Sequence, residues 1–270
     1  MAEKVAKEKA TEQKIVLPMQ PVKAAVKSPK NLIIFSKPKI GKTSALAELE
    51  NAFILDFEEG SDYVEAMKYK IDNISTLFKV GKAIKEAGYP YQYIIIDTVT
   101  ALETMCTDYA EKLYAAKPMG KTWFKKDNNG KLHIESGKRQ YGNILNLPNG
   151  AGYSYLREAV VKVTEYIKTL APRTILSGHI KDIMLEKKGA EFTSSDLDLT
   201  GKIKRILTSQ SDGIGYMYRR EKGNQNILSF LTSDAVACGT RSPHLRNKEI
   251  VISEFIDDKF VTYWDKVYID

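Results

Sequence analysis

The feature that most constrains this chain is the junction at residues 32–49. The apolar run Leu32-Ile33-Ile34-Phe35 has the length of a strand, Ser36-Lys37-Pro38-Lys39-Ile40-Gly41-Lys42-Thr43 breaks it, and Ser44 to Leu49 reads as a helix. Strand, Gly-Lys-Thr and helix in that order specify a phosphate-binding turn. Backbone N–H groups and a helix N-terminus converge on one spot, Lys42 bridges the β- and γ-phosphates, and Thr43 holds Mg²⁺. Ser36, Lys37, Pro38, Lys39, Ile40, Gly41, Lys42, Thr43 and Ser44 are therefore the expected seat of ATP. One element departs from the pattern: glycine is expected where Ser36 stands, and a Cβ there narrows a tight turn.

The rest of the sequence supports a chain built around that turn. With 270 residues, 43% of them hydrophobic, one substantial core is expected. Cys106 and Cys238 make neither a metal-ligand spacing nor a disulfide framework. The longest apolar runs are strand-length, far short of the ~20 residues a membrane helix requires, so a soluble protein of the cytoplasm is expected, with no membrane partner. The net charge of +7 is uneven. Residues 1–30 carry seven lysines against three glutamates with no sustained apolar period, which reads as a flexible basic tail ahead of one domain at 31–270. Residues 117–150 carry seven basic side chains against two acidic ones.

In that second basic segment, an insertion spanning 117–152, Lys121, Lys125, Lys126, Lys138 and Arg139 alternate with Trp123 and Phe124 among Gly and Asn. Such a segment places cations on phosphates and rings under bases, the way single strands are held without reading sequence. Its other reading is a solvated insertion whose aromatics pack on the core.

Further strands end in polar residues. Ala52-Phe53-Ile54-Leu55-Asp56 leads into Glu58 and Glu59, and Tyr91 to Ile96 closes on Asp97. An aspartate after a buried strand suits a Mg²⁺ site opposite Thr43, and Asp97-Thr98 also suits a helix N-cap. A helix is expected from Ser75 to Ala87 and an amphipathic one from Ser154 to Leu170, followed by a strand Thr174–His179. Ile183–Lys187 with Phe192–Leu199, and Gly213–Arg220 with Gln225–Leu231, read as hairpins, with a short helix between them and edge strands at Glu249–Ser253 and Lys259–Val267. Strands alternating with helices, with polar residues at the strands' carboxyl ends, predict an α/β fold. Its central sheet is mostly parallel and flanked by helices, with antiparallel hairpins toward the C-terminus.

The order of motifs resembles the RecA/DnaB-type core ATPases, and most closely the phage-encoded RecA-like nucleotide-binding proteins, some of which act in single-strand annealing or recombination. The resemblance spans Asn31 to Arg246. It rests on Lys39-Ile40-Gly41-Lys42-Thr43-Ser44, Phe53-Ile54-Leu55-Asp56-Phe57-Glu58-Glu59-Gly60, Ile94-Ile95-Ile96-Asp97, Ser177-Gly178-His179-Ile180-Lys181, and Leu199-Thr200-Gly201-Lys202 leading to Ser211-Asp212-Gly213-Ile214. It implies a RecA-like P-loop NTPase hydrolysing ATP slowly with Mg²⁺ on single-stranded DNA, as a homo-oligomeric ring or filament, alongside a single-strand-binding protein and in a bacterial host's cytoplasm if phage-encoded. By position it makes Glu58 the general base, with Glu59 the fallback, and His179 the sensor of the γ-phosphate. Lys202, Arg205, Arg219, Arg220 and Arg241 become candidates for a cation reaching a neighbouring subunit's nucleotide. Arg241 in Gly239-Thr240-Arg241 matches best, although the family's lysine two residues earlier is Gly239 here. Two alternatives stand beside this reading. One is a deviant-P-loop partitioning ATPase using Lys37, although it has Pro38 and Lys39 where those proteins carry glycines. The other is a nucleotide-gated recruiting protein with little turnover.

Overall fold

The structure is a computed structural model that describes residues 17, 19–24, 26–121, 134–135, 138–139, 143–187, 190–220, 224–233 and 235–269. Its strands are β1 (Asn31–Ser36), β2 (Ala52–Asp56), β3 (Lys68–Lys70), β4 (Tyr93–Asp97), β5 (Ile134–Glu135), β6 (Lys138–Arg139), β7 (Arg173–Lys187), β8 (Ala190–Leu197), β9 (Gly213–Arg219), β10 (Gln225–Ser229), β11 (Gly239–Thr240), β12 (Glu249–Ile256) and β13 (Lys259–Thr262). The helices are α1 (Lys42–Ala47), α2 (Ile74–Glu86), α3 (Val99–Ala115), α4 (Ala151–Lys168) and α5 (Gly201–Gln210). Among the described residues, no helix is long and apolar enough to cross a membrane.

The main sheet runs β13-β12-β10-β9-β1-β7-β4-β2-β3, with β11 beside β9 and β8 beside β7. From β9 through β3 every neighbouring pair is parallel, and β10, β12 and β13 add an antiparallel edge. Among the described residues, β5 and β6 pair only with each other. This is the expected mostly parallel α/β sheet. The strands are buried on both faces, which is why they read as unbroken apolar runs. Ile33, Phe35, Leu55, Ile94 and Ile96 pack under α2, α3, α4 and α5, while Leu32, Ile34, Ile54 and Ile95 pack under α1 and the C-terminal segment.

Register sets the functional edge. Asp56 lies opposite Asp97 and Asp97 opposite Ser177, so β2 and β4 end level with Ser177 of β7, and β1 ends two residues further along β7, with Ser36 opposite His179. Several boundaries differ from the sequence reading. α1 starts at Lys42 rather than Ser44, because Gly41 takes the left-handed cap conformation at φ 92°. The expected strand Thr174–His179 and first hairpin arm Ile183–Lys187 are one strand, β7. Its pairing with β1 stops at His179, and its outer half pairs with β8 alone, so polar side chains are tolerated there. β3 went unread because its three exposed or half-exposed residues carry no apolar pattern.

The last expected strand, Lys259–Val267, ends early. After Thr262 the chain turns through a short 3₁₀ segment, Trp264–Lys266, which seats the 7%-exposed Trp264 against α1 with its Nε1 donating to the Ala45 carbonyl at 2.7 Å. At the other terminus, buried Ser28 accepts a hydrogen bond from the Ile269 amide, so the two ends of the fold meet. Trp264→Ala removes both the packing over α1 and a buried donor. It should cost about 3–5 kcal/mol of unfolding free energy, read from urea denaturation midpoints.

Candidate active site

The turn between β1 and α1 places its left-handed backbone at Lys39 (φ 63°) and Gly41 (φ 92°). Ser36, where a glycine was expected, is the last residue of β1. It is fully buried and its hydroxyl donates to the Lys37 carbonyl, so its Cβ sits in ordinary strand geometry. Gly41 is the position that needs glycine: a Cβ there would stand 3.3 Å from the Asn226 amide nitrogen, on a backbone that L side chains rarely adopt. Residues of the turn and α1 line a cavity of about 410 Å³ shared with Glu58, Asp97 and His179.

Asp97, at the end of β4, is 4% exposed and fixes the floor of this cavity. Its Oδ2 accepts from the Thr43 hydroxyl at 2.7 Å and its Oδ1 from Ser177 at 2.7 Å. The helix cap that Asp97 might have supplied falls to Thr98, whose side chain accepts from the Ala101 amide. Lys42 is 8% exposed, and its ammonium donates to the Gly178 carbonyl at 2.7 Å. Burial pushes its pKa below the usual lysine range, while Asp97 and Glu58 act in the opposite direction.

The chain after β2 separates the two candidate bases. Asp56 accepts from the amides of Glu58 and Ser61 and from the Ser61 hydroxyl, which folds residues 57–61 into a fixed loop. That loop turns Glu58 into the cavity, where both carboxylate oxygens lie 3.0 Å from His179 Nε2 and Oε1 also accepts from the Thr98 hydroxyl. Glu59, left-handed at φ 61°, points out to an ion pair with Lys70 at 2.6 Å. The carboxylate facing Nε2 places the ring proton on that nitrogen. Nδ1 is buried without a hydrogen-bond partner, so a proton there would be an unsatisfied donor.

The structure thus gathers Lys42, Thr43, Asp97, Glu58 and His179 into one cleft. Arg241 is not among them. It lies at the opposite edge of the sheet, where β1 begins: its guanidinium is 3.6 Å from Asp212 and donates to the Ser209 carbonyl, and Asp212 in turn caps the Lys30 and Asn31 amides. Lys121 is exposed. Trp123, Phe124, Lys125 and Lys126 lie outside the described residues, as do the side chains of Lys138 and Arg139. The sequence reading gave Thr98 a role only as part of a helix N-cap, and gave none to Ser177 or the Gly178 carbonyl. Asp97-Thr98 adjacency and the Ser177-Gly178-His179 strand end were the available signals.

The chemistry open to this cleft is transfer of a phosphoryl group to water. Its residues supply a cation, a hydroxyl–carboxylate pair and an oriented carboxylate. A family model described as an AAA domain matches residues 28–242. Among solved structures, a KaiC-like protein from the hyperthermophilic archaeon Pyrococcus horikoshii aligns over 87% of this chain and 89% of its own, at 11% identity and a TM-score of 0.41. The RadB recombinase aligns over 86% and 90%, at 8% identity and a TM-score of 0.41. Comparison with curated proteins gave no match.

Asp56→Ala should leave two amides and a hydroxyl without their acceptor. The expected loss is about 1–3 kcal/mol of stability per group left unsatisfied. Hydrogen exchange should speed up at the Glu58 and Ser61 amides while β2 stays protected.

Proposed function

The chain belongs to the AAA domain family, and on that premise we propose that it is a RecA-like ATPase that acts on single-stranded DNA in phage recombination, annealing or replication. The observation that carries the ATPase part is the single cleft holding Lys42, the Thr43–Asp97 pair and Glu58. In it, Lys42 exchanges the Gly178 carbonyl for β- and γ-phosphate oxygens, and the backbone N–H groups of the turn take the remaining oxygens. The Thr43 hydroxyl and Asp97 carboxylate are the oxygen donors a Mg²⁺ ion prefers. Among the described residues, no group of three or more His, Cys, Asp or Glu side chains competes for a metal, which suits an ion bound mainly by water and phosphate. Bound there, Mg²⁺ supplies neutralisation of the phosphate charge. Glu58 deprotonates and orients the attacking water, and Thr98 and His179 hold its carboxylate in place until then.

Glu58 has a defined place in this scheme and none in the partitioning-type alternative. The DNA part rests on the alternation of Lys121, Lys125, Lys126, Lys138 and Arg139 with Trp123 and Phe124 in the insertion. Assembly into a ring or filament fits the place of Arg241. Arg241 lies away from the cleft of its own chain, and in such an assembly it would be the candidate cation for a neighbouring copy's nucleotide.

Lys42→Ala should reduce ATP turnover to background while the fold survives, and Glu58→Gln should keep nucleotide binding but lose hydrolysis. Normal turnover in the lysine variant would sink the ATPase reading. Turnover of the parent should rise with single-stranded DNA. DNA affinity should fall steeply with salt, and Lys125→Ala combined with Lys126→Ala should flatten the log–log slope by up to about 1.4. Oligonucleotide binding that ignores both lysines across the salt series would remove the insertion from the DNA site.

A further inference from the structure

Two lysines of the short edge strand β3 reach back to the loop that carries Glu58. β3 pairs with β2 in parallel, Ile54 opposite Lys68 and Asp56 opposite Lys70, so it lies beside the loop into which β2 leads. Lys70 serves carboxylates: its ammonium is 2.6 Å from Glu59 and 3.8 Å from Asp72. Lys68, half-buried, serves the backbone. Its ammonium donates to the Ser61 carbonyl and, at 2.9 Å, to the Val64 carbonyl.

Those carbonyls belong to one turn, closed by the Val64 amide donating to the Ser61 carbonyl at 2.9 Å. Ser61 is therefore held from both sides. Asp56 accepts from its amide and hydroxyl, Lys68 donates to its carbonyl, and the residue is buried. Glu58 lies on the stretch between: its amide donates to Asp56, and the Phe57 amide before it donates to the Asp97 carbonyl at 2.7 Å. A buried carboxylate thus fixes where the loop begins and an ammonium fixes where it ends. The loop lines the cleft through Glu58, Gly60, Tyr63 and Val64. Hydrogen bonds from a charged donor are about twice as strong as neutral ones, which suits Lys68 to hold a turn that lies outside any helix or strand.

We infer that Lys68 is a positioning residue for hydrolysis: it holds the turn at 61–64 and, through Ser61, keeps the Glu58 carboxylate aimed at the attacking water. The inference rests on the reading of Glu58 as the general base and adds the residue that aims it. Aim matters because a misplacement of about 1 Å can cost on the order of 100-fold in rate. The phosphates are held from the other side of the cleft by Lys42 and the turn before α1, so the loop governs the rate of hydrolysis more than the grip on polyphosphate.

Steady-state ATP hydrolysis, calorimetric titration with Mg²⁺ and inorganic tripolyphosphate, and hydrogen exchange test this on the full chain with Lys68→Met and Lys68→Arg. Methionine keeps the length and packing of the side chain and removes the donor, whereas arginine keeps donors. Lys68→Met should lower kcat by about 10- to 100-fold, leave tripolyphosphate affinity within about twofold of the parent, and speed exchange at the Ser61 and Val64 amides. Lys68→Arg should bring kcat back to within about threefold of the parent. Parent-like kcat in Lys68→Met overturns the inference, whether or not the two amides exchange faster. A loss of tripolyphosphate affinity equal to the loss of kcat does so too, because it signals a disturbed cleft rather than a misaimed base, and an arginine variant as slow as the methionine one assigns the effect to packing instead. Parent-like turnover in Glu58→Gln sinks the base reading itself and the inference with it, a result distinct from failure at Lys68 alone.

Discussion

The hydrogen bond from the Thr43 hydroxyl to Asp97 is the contact on which the rest of the site depends. It joins the first turn of α1, the helix that follows β1, to the end of β4; in the sheet β7 lies between β1 and β4, and it contributes the third member through Ser177. A buried carboxylate is tolerated only when its oxygens are satisfied. Asp97 meets that demand with two hydroxyls from opposite sides, which also bring β1, β7 and β4 to a common edge. With that edge fixed, α1 points its N-terminus at the position where β7 presents Gly178 and His179, and β2 delivers Glu58 from the far side.

The parallel core and the phosphate-binding turn were legible in the sequence because both are written locally. Buried strands read as apolar runs, and the Gly-Lys-Thr sequence sits between a strand and a helix. Asp97 was found as a strand-end residue, since a polar group closing an apolar run has few structural uses, while the roles expected of Glu58 and His179 came from the resemblance to the RecA-type ATPases. What stayed hidden depends on register between distant segments. That Ser177 faces Asp97, or that the Gly178 carbonyl meets Lys42, follows from how β7 aligns with β4 and β1, and no local pattern encodes it. The choice of Glu58 over Glu59 came from the resemblance, because no local pattern decides it: it depends on how Asp56 folds the loop, which turns one side chain in and the next out to Lys70.

The charged groups of the site are satisfied by one another and by the backbone. The Lys42 ammonium rests on a backbone carbonyl, and Glu58 is held by Thr98 and His179. Each of these contacts offers a group that a triphosphate or its attacking water would engage, so binding exchanges one set of hydrogen bonds for another. The net gain of such an exchange is small for neutral pairs and larger where charge is involved. The lysine therefore supplies the strongest reason for a polyphosphate to displace the resting arrangement.

Gly178 shows why that resting arrangement is available. A Cβ at this position would stand 2.3 Å from Leu197 Cδ1 and 3.3 Å from Val99 Cγ1, so any larger residue would force the buried Leu197 side chain to shift where β7 passes between β8 and the start of α3. The same close passage brings the Gly178 carbonyl over the cleft, where Lys42 finds it. Beyond His179, β7 leaves its pairing with β1 and continues with β8 alone. The residues that meet Lys42 and Glu58 are thus the last ones held by the central sheet. Their position is set by the packing of Leu197 and Val99 against a glycine, a requirement of shape rather than charge.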